Sequence, residues 1–241
     1  MITCEQNILA FAASGNVFGS SEIMENLNGT DISKPVVNAT LARMANEGKI
    51  LRVGYGRYVA ASGAKIFSPE LNPENAALYK EIKQKFPYAS MCLYEGRWFF
   101  PMMHHVAINN ATYIEVERVA AESVFEWLRG TGKEAYFRPD DEFIYRYVDL
   151  GKNVYIVKIL TSQSPLSEID GIPVPTLEKL LVDMYCDKDF SYLQGAEYYR
   201  IMNAAQNMYP LSKKTMLRYA SRRNVKEKVE KIMEESKYDI D

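Results

Sequence analysis

Cysteine is scarce in this chain of 241 residues. Cys4, Cys92 and Cys186 are odd in number, widely spaced and free of any CxxC pairing, so neither a disulfide framework nor a zinc ribbon is expected. All three read as small buried hydrophobes. Histidine is scarcer still: His104 and His105 are the only two, and adjacent helical residues point about 100° apart rather than chelating together. No Gly-x-Ser-x-Gly elbow or Gly-rich phosphate loop occurs, which speaks against a serine hydrolase or a P-loop enzyme. We therefore expect no catalytic residues, no metal and no cofactor. No apolar run approaches the roughly 18 residues of a membrane span, and the first residues lack a basic segment followed by a hydrophobic one. The expectation is a soluble, cytoplasmic protein with no membrane partner.

A large excess of either charge is also missing, but the net charge of −2 conceals an asymmetry. Residues 1–65 carry a net charge of +1 and residues 66–210 carry −6, whereas residues 211–231 hold eight basic and two acidic side chains. That basic segment reads either as a second phosphate-contacting surface or as a solvated helix face docked on an acidic neighbour. At 47% apolar residues the chain is long enough for two domains, each with its own core.

The most informative stretch is residues 18–60, FGSSEIMENLNGTDISKPVVNATLARMANEGKILRVGYGRYVA, which reads as a winged helix-turn-helix. A first helix runs from about Glu5 to Ala13. Ser20 or Ser21 caps a short second helix, with Ile23 and Leu27 four apart and Asn28-Gly29 closing it. Ser33 is a fitting N-cap for a third helix with Pro35 in its first turn. Val37, Leu41 and Met44 recur at helical spacing and face a core, which leaves Pro35, Asn38, Ala39, Ala42 and Arg43 outside. Small alanines allow close approach to a groove floor, Asn38 suits adenine edges, and Lys34 and Arg43 reach phosphate or guanine. Gly48 ends the helix. Lys49–Val53, a Gly-Tyr-Gly turn and Arg57–Ala60 then form a hairpin, the wing, whose tip presents Arg52, Tyr55 and Arg57. Lys213, Lys214, Arg218, Arg222 and Arg223 are secondary candidates for DNA contact. A three-helix bundle with a hairpin also serves as a protein-docking module, and the near-neutral charge of residues 1–65 leaves that alternative open.

Ser62-Gly63-Ala64, Pro69 and Asn72-Pro73 place a linker near 65–73, so the domains are residues 1–65 and 70–241. Beyond it the expected order is helix 74–86, strand 89–94, a short apolar helix or turn at 98–106, strand 113–119, helix 122–129, a segment at 134–137, helix 141–147 and strand 154–160. From Pro175 onward only helices are expected, over 176–185, 194–208, 212–222 and 225–235. The fold class is α+β (mixed α/β): a winged helix followed by an α/β domain with a helical C-terminal extension.

This order of elements, with GKILRVGYGRYVA in the first part and IPVPTLEKLLVDMYCDKDF in the second, resembles the AbiEi family. Its members are the antitoxin and transcriptional-repressor components of type IV, abortive-infection toxin–antitoxin systems. In IPVPTLEKLLVD a hydroxyl, Thr176, caps a helix packed through Leu177, Leu180 and Leu181 and followed by Asp183. The resemblance implies a bacterial regulator that binds inverted repeats in its own promoter duplex and represses its operon. It also implies a functional link to a nucleotidyltransferase-like toxin that is opposed without a tight direct complex.

One further pattern has chemical content. Arg138-Pro139-Asp140 followed by NVYIVKIL echoes the Pro-Asp, Asp/Glu-x-Lys layout of restriction-endonuclease-like folds, in which carboxylates hold a divalent metal. Two residues before Lys158 stands Ile156, which cannot ligate a hard cation. A degenerate site follows, with Asp140 or Asp141 favouring a helix N-terminus and Lys158 at a sheet edge or end. The seventeen tyrosines read mainly as packing residues.

Overall fold

The computed structural model describes residues 4–14, 16–27, 32–46, 49–60, 67–104 and 108–236. By its internal contacts the chain divides into unit 1, Met1–Phe67 with Gln206–Lys214, and unit 2, Ser68–Ala205 with Thr215–Asp241. The sequence reading gave the whole of residues 70–241 to one domain. In the structure, residues 206–214 group with the N-terminal part instead.

In unit 1, α1 (Cys4–Ala12), α2 (Ser20–Asn26) and α3 (Lys34–Asn46) precede an antiparallel hairpin of β1 (Ile50–Gly54) and β2 (Arg57–Ala60). Ile8, Ala12, Phe18, Ile23, Leu27, Val37, Leu41, Met44, Ile50 and Tyr58 form one core, as the helical spacing required. The start of α2 differs from expectation. Gly19, not Ser20 or Ser21, is the N-cap, and its N–H donates to Glu22 Oε2 at 3.1 Å. A Cβ at residue 19 would come within 2.6 Å of the Gly56 carbonyl oxygen, so the approach of the hairpin turn selects glycine there. In α3 the first bond runs from Val37 N–H to the Ser33 carbonyl at 3.1 Å, which sets Pro35 in the first turn. Asn28-Gly29, Gly48, Ser62-Gly63-Ala64 and His105 lie outside the described residues.

Unit 2 is built on a four-stranded sheet of order β3-β4-β6-β5, with β3 (Met91–Glu95) antiparallel to β4 (Thr112–Val116), and β4 and β5 (Ala135–Phe137) both parallel to β6 (Tyr155–Ile159). Alternation divides its side chains. Met91, Leu93, Ile114, Val116, Ala135 and Val157 pack with Leu78 and Ile82 of α4 (Pro73–Lys85) and with Ala121, Val124 and Leu128 of α5 (Arg118–Gly130). Asp140 caps α6 (Asp141–Tyr147), its Oδ1 accepting from Phe143 N–H at 2.8 Å. The C-terminal helices are α7 (Leu177–Cys186), α8 (Ala196–Met208), α9 (Lys213–Arg222) and α10 (Lys226–Glu235), close to their expected bounds. The fold class is α+β.

One element escaped the sequence reading. β7 (Leu166–Ile169) and β8 (Ile172–Pro175) form a hairpin closed by Asp170 and Gly171, both at positive φ of 50° and 77°. Asp-Gly between short apolar runs is the signature of such a turn, so the signal was present.

Candidate nucleic-acid interface

On α3, Val37, Leu41 and Met44 are buried, while Lys34, Pro35, Asn38, Ala39, Ala42 and Arg43 are exposed. The face singled out from the sequence is therefore a surface. Thr40 ties itself back to the helix, its hydroxyl donating to the Val36 carbonyl at 2.8 Å. At the hairpin tip Tyr55 is 95% exposed. Arg52 is also exposed, with its guanidinium 5.9 Å from the Tyr55 ring centroid.

Electrostatics trims the candidate list. Arg43 and Lys49 both bind Glu5, each at 2.5 Å, and these two hydrogen bonds hold the Glu5 carboxyl down to about 2. Arg43 keeps half its side chain in solvent, so it remains on the surface with part of its charge offset. Arg57 does not point out from the tip as expected. It folds inward, pairs with Glu22 at 2.7 Å and donates to the Ser212 hydroxyl. Burial alone would raise the Glu22 carboxyl, but the Arg57 bond more than offsets this and its pKa is lowered. Arg57 is thus an internal ion-pair partner within unit 1, with most of its side chain buried.

The basic C-terminal candidates also divide. Lys213, Lys214 and Arg218 are exposed, and Arg222 is exposed with a bond to the Ser162 hydroxyl at 2.7 Å. Arg223 is not available: it is half-buried and paired with both Asp183 and Asp187, because α9 turns that side of its last turn inward with Met216, Tyr219 and Ala220.

Arg223 belongs to a charged cluster that the sequence reading missed. On the sheet face opposite α4 and α5, Cys92, Glu115 and Lys158 stand in register across β3, β4 and β6. Lys158 is the penultimate residue of β6, near the end of a strand that lies inside the sheet, so of the two expected placements the strand end holds and the sheet edge does not. Its ammonium is held by Asp187 and by Asp189 at 2.9 Å, beside the rings of Tyr113 and Phe190. Lys179, fully buried on α7, reaches both Glu115 oxygens at 2.6 and 2.7 Å and also binds Asp183. Tyr219 donates to Asp183 at 2.8 Å. Burial pulls the Lys179 ammonium down, but Asp183 and Glu115 outweigh it and hold it well above the ordinary lysine value. Burial also pushes the Cys92 thiol well up, with Glu115 adding to the effect, so this cysteine is kept protonated.

An open cleft of about 380 Å³ reaches this cluster from Arg138, Pro139 and Asp140. The two elements of the nuclease echo do meet there. Yet each carboxylate beside Lys158 already has a cation partner, and Asp140 caps a helix. Among the described residues no group of three or more His, Cys, Asp or Glu side chains is arranged to hold a metal ion. The faint signal in the sequence was one charge of each sign, Glu115 and Lys158, alone at the same phase of two apolar strands.

The model of a family of unknown function, DUF6577, matches residues 36–239. The chain belongs to that family. The match takes in α3 from Val36 onward, the hairpin and all of the charged cluster, while α1, α2 and the first two residues of α3 precede it. No curated protein matches the chain. Among the described residues no helix is long and apolar enough to cross a membrane.

Proposed function

We propose that this protein is a DNA-binding transcriptional regulator whose residues 1–65 act as a winged helix, with α3 read into the major groove and the β1–β2 hairpin as the wing. The observation that carries the reading is the division of α3. A core face of Val37, Leu41 and Met44 lies opposite an exposed face of small and polar residues, Asn38, Ala39 and Ala42, flanked by Lys34 and Arg43. A helix of that kind, followed directly by a hairpin with an aromatic-basic tip, meets the steric needs of groove entry. Arg52 and Tyr55 are the wing contacts. Lys213, Lys214, Arg218 and Arg222 are secondary ones.

The operator reading and the antitoxin role rest on the resemblance of IPVPTLEKLLVD to the AbiEi family. The regulator would bind inverted repeats upstream of its own gene and oppose a nucleotidyltransferase-like toxin without a tight complex. The deciding experiment is fluorescence anisotropy of the full chain on its own upstream DNA against a scrambled duplex, at two salt concentrations. Selective binding that weakens with salt is the expected result. Absence of binding at low salt overturns it and assigns the α3 face to protein docking. Co-expression with the neighbouring toxin gene, where growth should be restored, tests the antitoxin role separately.

A further inference from the structure

β5 is the edge strand of the four-stranded sheet, and its outer side is open. The Tyr155 N–H donates to the Glu134 carbonyl and the Arg138 N–H to the Val157 carbonyl, each at 2.9 Å. In this register Tyr136 gives both its backbone groups to β6. The N–H and C=O of Ala135 and Phe137 therefore point away from the sheet, and no backbone partner among the described residues takes them. Along that side runs a groove of about 890 Å³ lined by residues 132–140 together with Phe125, Arg129 and Phe143. Its flank is aromatic: Phe125 stacks on Phe137 at 5.5 Å, Phe143 packs on Tyr136 at 5.7 Å and on Tyr147 at 5.2 Å, and Tyr147 is 64% exposed.

An open edge with aromatic flanks is a template for another strand. We propose that its occupant is the β5 of a second copy of this chain, paired antiparallel about a two-fold axis at Tyr136. In that register Ala135 faces Phe137 of the copy and Phe137 faces Ala135, so the four outward backbone groups on each strand meet their complements. The same register sets Glu134 opposite Arg138 of the copy, twice. Both side chains are exposed in the single chain, and Arg138 stands just past the end of β5 at a φ of 48°. The charges at the two ends of the strand thus have opposite signs and the spacing needed to pair with themselves reversed, which is the self-complementarity of a two-fold interface. A partner strand of a different protein has no reason to match that spacing. The inference stands apart from the DNA reading, and its test contains no DNA.

Sedimentation equilibrium of the full chain should show a dimer at micromolar concentration. Glu134→Arg or Arg138→Asp alone places like charges opposite each other and should weaken the dimer about tenfold or more. Arg138 sits at a φ of 48°, a region that aspartate tolerates. The double variant restores opposite charges and should return the dissociation constant to within about threefold of the original. Circular dichroism of each variant checks that the fold is retained. A chain that stays monomeric throughout overturns the proposal and leaves the edge for a strand of another protein. Single changes that leave a dimer untouched overturn it as well, as does a double variant no tighter than the single ones.

Discussion

Lys179 is the side chain on which the charged cluster of unit 2 turns. Its removal strands Glu115, which is 2% exposed, and leaves Asp183 to Arg223 and Tyr219 alone. Lys179→Met should therefore cost about 3–5 kcal/mol, read as a lower urea midpoint with an unchanged slope. Arg57 carries a smaller consequence of the same kind. Its pair with Glu22 is mostly buried but reaches solvent, so Arg57→Ala should lower the stability of unit 1 by about 1–3 kcal/mol and, under the proposed function, leave the DNA affinity of the folded protein nearly unchanged. Under the proposed function Arg52→Ala should instead weaken binding to every duplex alike. Asn38→Ala should cost on the order of 1–3 kcal/mol on the cognate site only. Anisotropy titrations on cognate and scrambled duplexes separate the three, and equal losses for Asn38→Ala on both would remove base reading from α3.

At the scale of elements, local sequence chemistry was well written. The Asp140 cap of α6, the Thr176 cap of α7 and the apolar stripe of α3 all lie within one helical turn of the residues that announce them. The β7–β8 hairpin is equally local, although Pro173 and Pro175 stand within β8 and proline argues against an inner strand. A two-stranded ribbon has edges enough to accommodate them. The turn itself makes a prediction. A Cβ at Gly171 meets nothing within 4 Å, yet its φ is +77°, so Gly171→Ala should destabilise by about 1 kcal/mol through backbone strain alone. Thermal melting of the variant measures it, and a gain in stability would be inconsistent with that turn.

At the scale of the molecule, charge placement governs the response to acid. The Glu5 carboxyl, bonded to Arg43 and Lys49, is held down to about 2. Burial would raise Asp187, but Lys158 and Arg223 prevail and hold it at about 2 as well. A carboxyl depressed on folding contributes stability that is complete above its unfolded value, here near 4, and is lost as pH falls toward 2. Stability should therefore decline across that window, and Glu5→Gln should flatten the decline, as followed by urea midpoints at successive pH values. Under the proposed function, internal pairing also limits the contacts with DNA. With Arg57 and Arg223 turned inward and Arg43 shared with Glu5, few cations remain for phosphate. The salt dependence of affinity should then correspond to about six contacts or fewer.

The sequence by itself determined the helices, the apolar faces they bury, the α+β class and the exposure of the α3 surface, since each depends on periodicity and capping among residues a few positions apart. The tertiary structure alone decided which charges are spent internally. Glu115 finds Lys179 across 64 positions and Arg57 finds Ser212 across 155, distances over which no local pattern carries information. It also decided that residues 206–214 group with unit 1, that β6 and not β5 lies inside the sheet, and hence which edge is left open. Strand order is set by how helices cover a sheet in space, and that choice is made by packing energy, not by the order of residues along the chain.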